Sequence, residues 1–152
     1  MTDALHLARD VGEAMWPRDH ATKLLGIRLL EIAPGRARLA MEVQPTMVNG
    51  HGVCHGGMIF TLADSAFAYA CNSYNQNTVA SAANVDFLAP ARIGDVLEAE
   101  AVERSLAGRT GVYDVSVRIQ GGAAVALFRG KSYRIKGEVI AGLEAAGDAR
   151  KP

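Results

Sequence analysis

Gly57-Met58-Ile59-Phe60-Thr61-Leu62-Ala63-Asp64-Ser65-Ala66-Phe67-Ala68-Tyr69-Ala70-Cys71-Asn72-Ser73-Tyr74 is the stretch on which the fold turns. Its spacing predicts a helix over 57–74. Met58, Ile59, Phe60, Leu62, Ala63, Ala66, Phe67, Tyr69, Ala70 and Cys71 cover most of the circumference. A helix apolar nearly all round is buried. Its most apolar part, Met58 to Cys71, is about 14 residues long and carries Asp64, too short and too charged to span a bilayer.

The flanking segments change period. Residues 3–16 place Leu7, Val11, Ala14 and Met15 at helical spacing, and Pro17 ends that N-terminal helix. A short helical turn is expected from Asp19 to Leu25. Gly26 to Ile32 then reads as a strand, Pro34-Gly35 as a turn, and Arg36 to Val43 alternates with Ala37, Leu39, Met41 and Val43 on one face. Four more strands are expected after the helix, at about 78–87, 95–104, 111–120 and 123–135, with turns at Pro90 and Gly94, Ala107-Gly108 and Gly121-Gly122. Successive strands joined by short turns form an antiparallel sheet, and the helix packs on one of its faces. One sheet covers one side of the helix. The far side needs a second layer, most simply another copy of the same helix.

Composition narrows the function. Of 152 residues, 49% are apolar and 21% charged, against about 25% charged in an average soluble domain. Sixteen Lys+Arg balance sixteen Asp+Glu. Such a chain is not intrinsically disordered, and it has no global field for nucleic acid or an anionic membrane. Zero net charge favours association. One domain over 1–152 is expected, with residues 1–20 an N-terminal helical part and 141–152 a fraying tail. Cys54 and Cys71 make neither a disulfide framework nor a zinc site, and no signal peptide is read, so a cytoplasmic location is expected.

Thr61, Asp64, Ser65, Ala68 and Asn72 form one narrow polar stripe on the helix. An ionised Asp64 among apolar neighbours is unfavourable unless it is paired or does chemistry. The loop Asn49-Gly50-His51-Gly52-Val53-Cys54-His55-Gly56-Gly57 opens directly into the helix, whose N-terminus offers unpaired N–H groups. Glycines there let a substrate oxygen approach the backbone, which suits polarising a carbonyl; a tight turn without a ligand is the plainer alternative. The loop is one residue too long for a dinucleotide fingerprint. His51, Cys54 and His55 lack a fourth metal ligand, Cys54 beside His55 reads as a packed cysteine, and Gly130-Lys131-Ser132 lacks the first P-loop glycine. Gly56 and Asp64 lie eight residues apart, about 12 Å along one helix, too far to act on one carbonyl. An antiparallel second copy brings Asp64 of one chain opposite Gly56 of the other.

Asn49-Gly50-His51, Cys54-His55-Gly56-Gly57 and Leu62 to Ser73 together resemble the hotdog-fold acyl-CoA thioesterases, and among them the PaaI type of phenylacetate degradation. The resemblance continues through Val85-Asp86-Phe87-Leu88-Ala89-Pro90, Gly94-Asp95, Thr110 to Asp114 and Val125 to Ser132, covering about residues 20 to 137. It implies an α+β hotdog fold, a five- or six-stranded antiparallel sheet wrapped around one long helix. It also implies an acyl-CoA substrate, no cofactor or metal, and a homodimer sharing its sites that pairs into a homotetramer. By this likeness the Gly56 N–H polarises the thioester carbonyl. Asp64 of the other subunit acts as nucleophile or general base, and Asn49 and His55 shape the site by hydrogen bonding. Gly57, Ser65 and Ser81 join the substrate or water, and Arg92, Arg109, Lys131 and Arg134 are the candidate cations for the coenzyme A phosphates. The expected reaction is hydrolysis of a (hydroxy)phenylacetyl-CoA or related acyl-CoA. The alternatives are an acyl-CoA hydratase or dehydratase on the same fold, or a non-catalytic acyl-CoA-binding protein.

Overall fold

The computed structural model describes residues 3–143. Helix α1 (Ala4–Met15) leads through a 3-10 turn (Trp16–Arg18) into the short α2 (His20–Leu24). Strands β1 (Arg28–Ala33) and β2 (Arg36–Glu42) follow, then α3 (Gly56–Asn72), β3 (Thr78–Phe87), β4 (Val96–Ala107), β5 (Thr110–Ile119) and β6 (Ala124–Arg134). The strands form one six-stranded sheet in the order β1-β2-β4-β5-β6-β3, every neighbouring pair antiparallel. The sheet wraps α3, which touches all six strands. This is the hotdog fold, and its elements agree with the sequence reading to within a few residues at each end.

Alternation explains the wrap. Ala37, Leu39 and Met41 on β2, Leu97, Ala99 and Ala101 on β4, and Tyr113, Val115 and Val117 on β5 are buried against α3. Arg36, Arg38, Glu98, Glu100, Asp114 and Arg118 take the outer face, where Asp114 holds Arg104 and Arg129 in ion pairs. The alanines let the sheet curve close to the helix, and the larger side chains fill the ends. Phe67 packs edge-on against Tyr113 at a centroid distance of 5.5 Å, and Phe60 against Phe128 at 5.3 Å.

α3 is pinned at both ends. The His55 imidazole Nδ1 accepts from the Gly57 N–H at 2.9 Å, capping the first turn. At the other end Asn72 donates to the Thr78 carbonyl and accepts from the Thr78 N–H, both at 3.0 Å. Asn72 therefore fixes where β3 departs and belongs to the structural side of the expected polar stripe. Tyr69 donates to Asp19, which also caps α2 through the Thr22 N–H, so the N-terminal segment is tied to the same helix.

Residues 141–143, where the sequence predicts fraying to begin, are held: Asn75 donates to the Ile140 and Leu143 carbonyls. The rest of that expected tail, 144–152, lies outside the described residues, as do residues 1–2. Among the described residues no helix is long and apolar enough to cross a membrane.

The two sheet edges differ. β1 is six residues long, is bulged between Leu29 and Glu31, and is flanked by α1. β3 is ten residues long and exposed along most of its length, with Val79, Ala80, Ala82, Ala83 and Phe87 open. A long, uncovered, apolar edge is a template for pairing with another chain.

Gly130 on β6 carries a close approach in the core. A Cβ there would stand 2.8 Å from the Phe67 ring, which has no room to retreat between Tyr113 and Phe128. Gly130→Ala is therefore expected to lower unfolding free energy by roughly 1–3 kcal/mol through overpacking. Denaturant titration of the two proteins checks this, and unchanged stability would show the aromatic cluster to be looser than its geometry.

Candidate active site

The loop before α3 is a closed structure. Val48 and Cys54 form an antiparallel bridge, and the Asn49 N–H donates to the Val53 carbonyl. The Asn49 side-chain oxygen accepts from the His51 and Val53 N–H groups at 3.0 and 3.4 Å. Gly52, at φ +74°, turns the chain back. Gly50 and Gly52 thus serve a tight turn, the plainer of the two readings. Two further bonds set the loop's position: the Cys54 N–H donates to the Ala91 carbonyl and the His55 N–H to the Met47 carbonyl.

The glycines at the helix start divide the remaining roles. The Gly57 N–H is occupied by His55 Nδ1. No hydrogen bond among the described residues uses the Gly56 N–H. That donor therefore carries the unspent positive end of α3. An imidazole that accepts at Nδ1 carries its neutral-form proton on Nε2, so His55 presents a second donor away from the helix.

Asp64 lies two turns further along α3 and is half-buried. No hydrogen bond or ion pair among the described residues holds its carboxylate. Phe60 and Phe67, one turn to either side, flank it on the helix. Burial pushes its acid up from the ordinary carboxylate value. The adjacent hydroxyls are already committed as donors: Thr61 to the Gly57 carbonyl at 2.9 Å and Ser65 to the Thr61 carbonyl at 2.7 Å. Ser65 keeps lone pairs to accept from water. The cysteines are poor nucleophiles. Cys54 is raised by burial, and Cys71 is pushed up to about 12, by burial first and then by the Asp64 charge.

The outlying candidates do not converge within one chain. Ser81 sits at a bulge in β3 and donates to the Lys131 carbonyl at 3.1 Å. Arg109 donates to the Arg134 carbonyl, so those two cations share one end of the sheet, with Lys131 three residues away on β6. Arg134 pairs with Thr78 at the start of β3, whereas Arg92 follows Phe87 at its end. Thr78 and Phe87 are the two ends of a ten-residue strand, about 30 Å apart. Within one chain the candidate cations thus lie in two places, Arg92 beyond one end of β3 and Arg109, Lys131 and Arg134 toward the other.

Phe87, to which the sequence reading gave no role, lies beside the start of α3. Its ring lies over Gly56: a Cβ on Gly56 would stand 2.8 Å from Cζ and 3.2–3.3 Å from both Cε atoms. Beside it runs an open apolar groove of about 500 Å³.

Three comparisons place this geometry among known proteins. A thioesterase superfamily model matches residues 51–126, which run from within the loop through α3, β3, β4 and β5 to the start of β6. The chain is 48% identical to the acyl-coenzyme A thioesterase PaaI of Escherichia coli over 88% of this chain and 96% of that protein. The structure of the E. coli PaaI protein from the phenylacetic acid degradation operon superposes with a TM-score of 0.88, covering 90% of this chain and 99% of the other. A variant of the phenylacetic acid degradation protein PaaI from Thermus thermophilus gives 0.74 at 41% identity, over 77% of this chain and all of that one. The chain belongs to the thioesterase superfamily and is a PaaI-type enzyme that hydrolyses thioesters.

The unpaired Asp64 has a stability signature. A carboxyl raised in the folded state is destabilising above its folded pKa, and the penalty vanishes as pH falls below the ordinary carboxylate value. Asp64→Asn is therefore expected to melt higher than the parent at pH 7, with the gap closing as pH falls through that window. Thermal midpoints from pH 3 to pH 7 test this; a lower midpoint for the variant at pH 7 would mean that the carboxylate has a stabilising partner.

Proposed function

We propose that this chain hydrolyses the thioester of an aryl-acetyl-CoA or related acyl-CoA, with water as co-substrate and free coenzyme A as product. The carrying observation is the pair of unspent groups on α3: one free N–H at Gly56 and one unpartnered, desolvated carboxylate at Asp64. Support for the substrate class comes from the relatives, which are named for acyl-coenzyme A and for phenylacetic acid degradation.

The chemistry follows from the groups. The thioester oxygen accepts from the Gly56 N–H, with the His55 Nε2–H as a second donor, so charge that develops on that oxygen meets donors already in place. Asp64 takes a proton from water as that water attacks the carbonyl carbon, and as the C–S bond breaks the proton passes to the departing thiolate. Alternatively Asp64 attacks the carbon itself, coenzyme A leaves, and water hydrolyses the resulting anhydride to release the acid and restore Asp64. Its raised acid strength range brings it closer to the operating pH of a general base.

Gly56 and Asp64 are eight residues apart on one helix, so one chain does not complete this arrangement. On our reading the partner is a second copy, paired through β3 with its α3 antiparallel to this one. That operation covers the exposed edge and sets Asp64 of one copy opposite Gly56 of the other. It also carries the end of one β3, with Arg92, to the start of the other, where Arg109 and Arg134 lie. The coenzyme A phosphates then find cations from both copies.

Thiol release from phenylacetyl-CoA tests the reaction. The parent is expected to turn over with an acid limb midpoint above the ordinary carboxylate range. Asp64→Asn should lose roughly 10²–10⁴-fold in kcat while still binding coenzyme A. Full turnover by Asp64→Ala would remove Asp64 from the mechanism. Sharing is tested separately by mixing Asp64→Asn with Gly56→Val, each inactive alone. Heterodimers should regain activity at the one site that keeps both native groups, and verified heterodimers without recovery would overturn the shared site.

A further inference from the structure

Phe87 is the last residue of β3, and its ring takes no part in the core: it is 54% exposed. Its backbone is nonetheless fixed from two directions. Phe87 pairs with Ala126 on β6, the Leu88 N–H donates to the Val125 carbonyl, and the Cys54 N–H donates to the Ala91 carbonyl. An exposed aromatic on an anchored backbone has been set in a defined place, and that place is the face of Gly56, whose missing Cβ makes room for the ring.

The groove that begins there is lined by Val53, Cys54, Ile59, Leu88, Ala89 and Pro90 together with Gly56 and Phe87. Its walls are mainly apolar, which suits an aryl acyl group better than the amide-bearing pantetheine arm of coenzyme A. The Phe87 ring lies against the Cα of Gly56, the residue whose N–H receives the thioester oxygen in the proposed reaction, and the groove adjoins both.

We infer that Phe87 is a specificity-determining residue, the aromatic wall against which an aryl acyl group seats while its carbonyl meets the Gly56 N–H. The inference rests on the thioesterase reading of the site and names its substrate class. An aryl ring gains an edge-to-face or offset contact with Phe87 beyond the burial that a linear acyl chain of similar size obtains.

Two inert thioethers read this without turnover: S-(2-phenylethyl)-CoA and S-hexyl-CoA, titrated calorimetrically into the intact protein. The parent is expected to favour the phenylethyl ligand. Phe87→Leu should reduce the phenylethyl-to-hexyl affinity ratio by about fivefold, and Phe87→Tyr, which keeps the ring, should retain it. A ratio unmoved by Phe87→Leu, an equal loss of both affinities, or a parent without aryl preference would overturn the assignment. Thiol release by the parent is followed alongside. Aryl-selective binding without release would sink the proposed reaction alone, and release with an unmoved ratio would sink the Phe87 assignment alone.

Discussion

A helix that is apolar round most of its circumference is the constraint on which the molecule depends. α3 buries Ile59, Leu62, Ala63, Ala66, Phe67, Tyr69, Ala70 and Cys71, and six strands curl around it to do so. The curl dictates the path of the chain. β3 leaves the C-terminal end of α3 under the control of Asn72 and runs at the far edge of the sheet, beyond β6. A 17-residue helix is about 25 Å long and a ten-residue strand about 33 Å. The strand is therefore long enough to return Phe87 to the helix start, where it meets Gly56. A contact that decides the shape of the site is thus a consequence of element lengths.

The electrostatics of α3 follow from the same burial. Pressing the helix into the sheet desolvates Asp64 without supplying a partner, since the inner faces of the strands carry hydrocarbon. Among the described residues, the arginines with ion pairs sit on the outer face or at the β1–β2 hairpin. A carboxylate left in this state lowers stability, and a fold that retains one has gained something other than stability.

Much of this was legible in the sequence because it rests on period. The apolar helix, the alternation of Ala37, Leu39 and Met41, and the turns at Pro34-Gly35 and Gly121-Gly122 all lie within short windows. The distance argument separating Gly56 from Asp64 needed only the rise of a helix. What escaped depends on register or on the direction of a side chain. Arg92 and Arg134 were both candidate cations, and only pairing shows that they lie at opposite ends of β3 within one chain. His55 was expected to shape the site by hydrogen bonding and does so at the backbone, but that its Nδ1 takes the Gly57 N–H out of use depends on the direction of its ring. Phe87 stood in the sequence as part of the resemblance and with no role of its own. It lies 31 residues from Gly56, and the fold brings the two together through the pairing of β3 with β6 and the bond from the Cys54 N–H to the Ala91 carbonyl.

Three unfinished features occupy the same part of the molecule: the long open edge of β3, the free Gly56 N–H and the unpartnered Asp64. Each alone has a local explanation, since edges can stay open, helix ends can meet water and a half-buried acid can protonate. Their coincidence is harder to explain locally, because the other edge of the sheet is short, bulged and flanked by α1. A protein that protects one edge has the means to protect the second. The proposed two-fold operation along β3 would close all three features at once, covering the edge and bringing the acid to the donor. On that proposal the open edge and the chemistry have a single origin, since the strand that the fold leaves unpaired is the one whose pairing would bring the reacting groups together.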